Sequence, residues 1–211
     1  MSSAKTEASA RDRLLAAANE LFYEEGVHTV GIDRVIERAG VAKASLYSAF
    51  GSKEELVRAY LQARADARMD RITRRLSLHD DPRARILAVF DLLGDLASDP
   101  KFRGCAFVNA SAEGSRGESK VRQVCLDTRA WVRGLFADLA RELGAKEPGR
   151  LGRQLALLYD GATIGASMER DAGVVNDARM AAEALLDAYA IPTKGGARPR
   201  ANGKRTAPAS R

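Results

Sequence analysis

The feature that most constrains the fold is a pair of short helical segments joined by a glycine, between residues 32 and 50. In the first segment, apolar residues recur at i, i+3, i+4 and i+7, which places them on one face of a helix. These residues are Ile32, Val35, Ile36 and Ala39. Gly40 follows directly and suits the left-handed conformation that ends many helices. The second segment covers residues 43–50, and its buried positions would be Leu46 and Phe50.

Two short helices with a glycine-containing turn between them are typical of a helix-turn-helix. In that unit the second helix enters the DNA major groove and the first crosses the phosphate backbone. Other pairs of short amphipathic helices can imitate the pattern. The surrounding sequence must therefore support the interpretation.

The remainder of the chain is predicted to be helical, because no segment shows the alternation of apolar and polar residues that indicates a strand. We expect an all-α protein of about nine helices. Ser52 and Glu55 have the spacing of a capping box and predict the start of a fourth helix without Pro or Gly up to residue 76. That helix would span roughly 35 Å, enough to connect two domains. Pro148 would begin an eighth helix, and Asn176 would cap the ninth.

The positive charge lies mainly at the C-terminal end. The chain carries 34 Lys and Arg against 28 Asp and Glu, a net charge of +6. Residues 193–211 hold six basic and no acidic side chains, whereas residues 1–57 hold seven basic and nine acidic ones. Bulk charge therefore does not predict DNA binding by the helix pair. It leaves a second hypothesis open, in which the protein binds nucleic acid nonspecifically through a basic tail.

Several other classes are disfavoured. No apolar run approaches the ~18 residues of a membrane span, and residues 1–13 lack the apolar segment of a signal peptide. Cys105 and Cys125 have no metal or redox spacing, which favours a reducing cytoplasm. The sequence has only two histidines and none of the G-x-S-x-G, P-loop or H-E-x-x-H motifs. We expect a cytoplasmic protein that is not an enzyme and needs no metal or cofactor.

Residues 10–57 resemble the tetracycline-repressor (TetR) family of bacterial transcriptional regulators. The family pattern reads roughly A-G-V-S-K-G-T-L-Y-x-H-F-x-S-K-E-x-L, and this chain has A-G-V-A-K-A-S-L-Y-S-A-F-G-S-K-E-E-L. The matching residues are Ala39, Gly40, Val41, Lys43, Leu46, Tyr47, Phe50, Ser52, Lys53, Glu54 and Leu56. The chain departs from the pattern at Ala42, Ala44 and Ser45, where Ser, Gly and Thr are usual, and at Gly31, where Thr or Ser is common. Residues 102–113 also resemble a run found in part of the family.

The resemblance implies a three-helix DNA-binding head at residues 10–57 and a ligand-binding and dimerisation body at residues 58–192. Residues 1–9 would be a flexible arm, and residues 193–211 a disordered basic tail. The implied partners are a palindromic double-stranded DNA operator, a second copy of the chain and a small-molecule effector, with no membrane. The implied function is a dimeric regulator, by family default a repressor, which an inducer releases from DNA.

The candidate DNA contacts lie on and around the second helix of the motif. Lys43 can donate to guanine O6 and N7 or to a phosphate, and the alternative is a solvated surface lysine. Tyr47 carries a hydroxyl suited to a phosphate oxygen but could equally be an aromatic at the edge of the core. Lys53 would join the N-terminus of the fourth helix in holding a phosphate. The full set is Thr29, Arg34, Ala42, Lys43, Ala44, Ser45, Tyr47, Ser48 and Lys53.

The body offers candidate residues for an apolar ligand cavity, although ordinary core packing is the alternative for each of them. They are Phe90, Phe102, Cys105, Phe107, Trp131, Tyr159, Asp160 and Met168. Asp160 lies within an apolar run and could pair with a cationic ligand or an arginine, or face solvent.

The eighth helix is apolar on more than one side, which is typical of a helix buried on both sides. One side could face a second subunit, with small residues allowing close approach. The candidate dimer contacts are Leu158, Gly161, Ala162, Gly165, Ala166, Leu185 and Tyr189.

Overall fold

The computed structural model describes residues 8–113 and 120–190, which form nine α-helices and no strand. The predicted all-α class is confirmed. The helices are α1 (Ala10–Glu25), α2 (Ile32–Ala39), α3 (Lys43–Phe50), α4 (Lys53–Leu76), α5 (Pro82–Ala97), α6 (Ala106–Glu113), α7 (Lys120–Glu142), α8 (Pro148–Glu169) and α9 (Gly173–Tyr189). The basic tail and most of the predicted arm lie outside the described residues.

Side-chain caps explain where several helices begin. Ser9 Oγ accepts a hydrogen bond from the Asp12 amide at 3.1 Å, and Ser52 Oγ accepts one from the Glu55 amide at 3.1 Å. The serine half of the predicted capping box is therefore confirmed. The other half is wrong, because the Glu55 carboxylate accepts from Lys120 of α7 at 2.6 Å and from Arg58 at 2.7 Å instead.

The prediction that Asn176 caps α9 is wrong. The helix begins three residues earlier, at Gly173, and Asn176 lies inside its first turns. The reason is local: the Asp171 carboxylate accepts a hydrogen bond from the Gly173 amide at 2.7 Å, which satisfies a donor that would otherwise be orphaned at the helix start. The preceding helix ends where Arg170 adopts a left-handed conformation with φ of 54°.

The buried apolar residues form two clusters that share α4. The first cluster holds the inner faces of α1, α2 and α3 together with the N-terminal half of α4, and it extends to α6 and the start of α7. The second cluster lies among α5, α7, α8, α9 and the C-terminal end of α4. Residues such as Leu56 and Leu61 pack in the first cluster, whereas Ile72 and Leu76 pack in the second. A movement of α4 therefore displaces both cores together.

Helices α7 and α8 approach each other closely at a glycine. A Cβ atom at Gly152 would lie 2.6 Å from the backbone nitrogen of Ala137, so only glycine fits at this crossing. The contact fixes α8 against α7 and leaves one side of α8 turned outward. Across residues 8–113 and 120–190, no helix combines the length and apolar character needed to cross a membrane.

Candidate DNA-binding surface and ligand cavity

Helices α2 and α3 are joined by the tight turn that the sequence predicts. Gly40 has φ of 61° and ψ of 44°, which is the left-handed region, and its N–H reaches the carbonyls of Ile36 and Glu37. The Val41 amide also donates to the Ile36 carbonyl, at 3.3 Å. These bonds satisfy carbonyls at the end of α2 and turn the chain into α3. The predicted helix-turn-helix geometry is confirmed at this turn.

One residue anchors α3 to the core and the opposite face is open. Leu46 is fully buried, and it is the buried residue of α3. Four of the predicted DNA contacts, Lys43, Ala44, Tyr47 and Ser48, are exposed on this helix, and Ala42 is exposed just before it. The structure thus brings these predicted residues together on one outward face. Ser45 lies beside them and is half-buried.

The charged candidates near α3 are held by acidic neighbours. Lys43 Nζ lies 2.9 Å from Asp33 Oδ1, and this hydrogen bond raises the pKa of the Lys43 ammonium. Arg34 pairs in the same way with Glu25. Exposed pairs of this kind are weak and can exchange their carboxylate for a phosphate. Thr29 is exposed in the connection before α2.

Lys53 occupies the first position of α4 and is half-buried. The first backbone amides of a helix can donate to an anion, and the positive end of the helix dipole adds to the attraction. The side chain of Lys53 therefore stands beside a second group of anion donors. It is separated from α3 only by the Gly51–Ser52 turn.

A cavity of about 190 Å³ lies beside α4. Its walls come from α1, α4, α5, α6 and α8 and from the α5–α6 connection. The lining residues are Tyr23, Arg64, Arg68, Arg71, Ile72, Leu92, Leu93, Leu96, Asp99, Lys101, Phe102, Gly104, Ala106, Phe107, Tyr159 and Thr163. The wall is thus part apolar and part cationic. Within the described ranges, no group of three metal-ligating side chains converges.

Three of the residues predicted to line a ligand cavity do so: Phe102, Phe107 and Tyr159. Phe90 lies behind the wall, fully buried, with its ring centroid 6.2 Å from that of Tyr159. Cys105 adjoins the cavity and accepts a hydrogen bond from Arg68 at 3.5 Å.

The remaining cavity candidates lie elsewhere. Asp160 is paired with Arg129 of α7 at 2.8 Å, which decides among the three alternatives left open for it. Trp131 packs half-buried against the second core. Met168 is 80% exposed, because it lies on the side of α8 that faces away from the rest of the chain.

The sequence interpretation missed the polar wall of the cavity. Arg64, Arg68 and Arg71 follow one another at i, i+4 and i+7, a spacing that places them on one face of α4. This spacing was the sequence signal by which the three arginines could have been grouped. Tyr23 was missed as well: its hydroxyl donates to the Gly104 carbonyl at 3.2 Å and accepts from the Arg103 amide at 3.0 Å. The side chain connects α1 to the loop that lines the cavity.

The predicted dimer contacts separate into two groups. Ala162 and Ala166 are buried within the chain, and a Cβ at Gly165 would lie 2.8 Å from Val174 of α9. These small residues serve packing inside one subunit. Gly161 is exposed, whereas Leu158, Leu185 and Tyr189 are half-buried.

Apolar residues that do face outward on α8 form a stripe at helical spacing, which we call the α8 stripe. It consists of Leu157, Gly161, Ile164 and Met168. Leu157 is 62% exposed and Met168 is 80% exposed. Three large apolar side chains on one helix face form a patch of the kind that marks an interaction surface.

The N-terminal region matches the family of bacterial regulatory proteins of the tetR type over residues 14–60. Over 85 residues, 40% of this chain, it is 39% identical to the transcriptional activator FasR of Mycolicibacterium smegmatis and covers 39% of that protein. Over 110 residues, 51% of this chain, it is 34% identical to the transcriptional repressor NemR of Escherichia coli and covers 55% of it. The match therefore spans about two fifths to just over half of the length of these relatives.

Likeness to solved structures extends over the whole fold. A TetR-family transcriptional regulator from Streptomyces coelicolor superposes with a TM-score of 0.82 at 32% identity, covering 86% of this chain and 96% of that one. The relatives are transcriptional regulators and not enzymes. The protein belongs to the TetR family of bacterial transcriptional regulators and is a DNA-binding regulator.

Proposed function

We propose that the protein is a dimeric repressor that binds a palindromic operator and leaves it when a small molecule occupies the cavity. The observation that carries this proposal is the combination of an exposed α3 face with a cavity that adjoins both the head and the body. Residues 10–57 act as the DNA-binding unit, and residues 58–192 hold the cavity and the dimer contacts. The relatives include an activator and a repressor, so the sign of regulation needs its own test.

In this proposal α3 lies in the major groove. Lys43 exchanges Asp33 for a base edge or a phosphate, and the small side chains of Ala42 and Ala44 let the backbone approach closely. Tyr47 donates its hydroxyl to a phosphate oxygen. Thr29, Arg34, Ser45 and Ser48 complete the contact set, with Lys53 at the neighbouring helix start.

We expect Lys53→Ala to weaken binding evenly across DNA sequences, because a phosphate contact carries no base information. The slope of log affinity against log salt should fall in magnitude by about 1 for each Lys53 that contacts a phosphate. The measurement is a salt titration of DNA affinity. Lys146→Ala is the matched control, since Lys146 is exposed between α7 and α8. An unchanged slope for Lys53→Ala would reject the contact.

The second copy docks, we propose, through the α8 stripe. An interface made of Leu157, Ile164 and Met168 would cover apolar area that one chain leaves in water. Gly161 lies in the centre of the stripe with open space around it, so a helix of the partner can approach closely there. The two α3 helices must then lie about 34–36 Å apart to reach successive major grooves.

Release follows from a population shift. A ligand that prefers one spacing of the heads moves the equilibrium toward that spacing, and only its differential affinity for the two states counts. Two connections can carry the change. Tyr23 ties α1 to the cavity loop through Gly104 and Arg103, and Glu55 ties the start of α4 to Lys120 of α7.

We expect Tyr23→Phe to alter operator affinity several-fold while lowering the free energy of unfolding by about 1 kcal/mol, the value of one or two hydrogen bonds. The ring remains, so its stacking on Arg64 at 3.7 Å is kept. Hydrogen exchange should show faster exchange of the Arg103 amide, which loses its acceptor. Ser77→Ala, which removes one side-chain hydrogen bond at the exposed C-terminal end of α4, is the control. Lost protection at Arg103 with unchanged operator affinity would show that this connection does not couple the two regions.

The sign of regulation is tested with a reporter. The duplex selected by the purified protein is placed across a promoter in a bacterial host, with and without expression of this chain. Lower reporter output supports repression. Raised output would contradict it and make the protein an activator.

A further inference from the structure

Two arginines of α4 outside the cavity form ion pairs, whereas those in the cavity wall do not. Arg58 pairs with Glu55 and Arg75 pairs with Asp95. The three cavity arginines, Arg64, Arg68 and Arg71, form no ion pair with any carboxylate among the described residues. Lys101 adds a fourth cation to the lining, and Asp99 is its only carboxylate.

The partners that these arginines do have are neutral. Arg64 donates to Asn19 Oδ1 at 2.9 Å and stacks on Tyr23. Arg68 lies over the Phe107 ring, 4.9 Å from its centroid. Such contacts orient a guanidinium without neutralising it.

The charges act on each other. Burial lowers the pKa of Arg71, and the positive charges of Arg64 and Arg68 lower it further. Arg64 and Arg68 are half-buried and Arg71 is exposed, and like charges held this close to one another repel. An anion bound between the guanidiniums would remove that repulsion.

The hydroxyl of Tyr159 lies beside the same two arginines. Tyr159 is 5% exposed and lines the cavity, and its hydroxyl hydrogen-bonds no described residue. It lies close enough to Arg68 and Arg71 that their charges oppose the rise in the pKa of Tyr159 caused by burial. The hydroxyl can therefore donate to a ligand in the cavity.

Other residues of the lining are apolar. Leu92, Leu93, Phe102 and Phe107 face the same space. At about 190 Å³ the cavity is small, and an apolar cavity of about 150 Å³ is enough for one benzene ring. The site therefore suits a molecule of one ring or a short chain with one charged end.

We propose that the effector is a small organic carboxylate whose anionic group lies between Arg68 and Arg71 and accepts a hydrogen bond from the Tyr159 hydroxyl. Its apolar part packs against Phe102 and Phe107. Guanidiniums and a hydroxyl together match the donor geometry that a carboxylate requires. The inference rests on the proposed function for its regulatory meaning, and it names the ligand class of that cavity.

The test is calorimetric titration of the full chain, without DNA, by benzoate and phenylacetate and by their neutral isosteres benzamide and phenylacetamide. We expect the carboxylates to bind about tenfold or more tightly than the amides, as hydrogen bonds to charged groups allow. Arg68→Met should lower carboxylate affinity by about tenfold or more and leave amide binding unchanged. Arg74→Met is the matched control, because Arg74 is an exposed arginine of α4 outside the cavity.

Tyr159→Phe keeps the ring and removes only the hydroxyl. It therefore tests the proposed carboxylate site if Arg68→Met does not fold. A several-fold loss of carboxylate affinity supports the site. Equal binding of carboxylates and amides, absence of binding by all four compounds, or unchanged carboxylate binding in Arg68→Met or Tyr159→Phe would overturn it.

Operator binding is measured separately, with and without benzoate or phenylacetate. Carboxylate binding without release from DNA would leave the site standing and reject its inducing role. Absence of carboxylate binding, with operator binding intact, would reject the ligand class and leave the DNA-binding function.

Discussion

Leu46→Ala is expected to abolish operator binding by loosening α3 from the head. Leu46 is fully buried and is the residue through which α3 enters the first core. Truncating a buried leucine to alanine costs about 2–5 kcal/mol, a large part of the roughly 5–15 kcal/mol that stabilises a typical domain. The recognition surface is therefore lost even where the body remains folded.

Chemical denaturation and a DNA titration measure this effect together. Leu78→Ala is the control, because Leu78 is 73% exposed after the end of α4 and the same truncation there should change stability by less than about 0.5 kcal/mol. A Leu46→Ala protein with the stability and operator affinity of the original chain would show that α3 is held by other contacts.

Leu157→Glu is expected to convert a dimer into monomers. Leu157 is 62% exposed on the α8 stripe, and a carboxylate there would be buried without a partner if the second copy docks on this face. Loss of the second head turns two linked DNA contacts into one. Because linkage of two sites contributes about 10²–10⁴ in apparent affinity, operator affinity should fall by at least about a hundredfold.

Sedimentation and DNA titration test this result, and Leu78→Glu is the matched control. Leu78 is 73% exposed after the end of α4, so the same change there adds the same charge away from the α8 stripe. A Leu157→Glu protein that remains dimeric would remove the α8 stripe from the interface.

Short sequence signals made the first helices of the chain predictable. The left-handed turn at Gly40, the stop at Gly26 and the serine cap at Ser52 depend on a few neighbouring residues, and the sequence contains them all. The start of α9 was predicted at the wrong residue because Asp171 and Asn176 are both plausible caps in the sequence. Only the folded chain shows that the Asp171 carboxylate meets the Gly173 amide.

The cavity was predictable only in part. Aromatic residues in the sequence were predicted to line a cavity, and Phe102, Phe107 and Tyr159 do line it. Charged residues on a long helix normally face solvent. The sequence therefore did not indicate that Arg68 and Arg71 line a cavity. Their position follows from the packing of α4 against α5, α6 and α7, which no local pattern encodes.

Local sequence patterns also did not predict which residues of α8 face outward. Small residues spaced four apart allow close packing, but their spacing does not show which helix packs against them. Gly165 packs on Val174 inside the chain, and Ala162 and Ala166 are buried there too. The outward side is instead marked by large exposed residues, Leu157, Ile164 and Met168, whose exposure depends on the tertiary fold.

Selection of bound duplexes from a random pool by the full chain, followed by sequencing, tests whether a dimer binds DNA through two α3 helices. Two α3 helices held by one dimer should enrich an inverted repeat whose half-sites are centred about one helical turn, or a small multiple of it, apart. Enrichment of a single unrepeated site, or no enrichment over the starting pool, would show that the protein does not bind an operator through paired α3 helices.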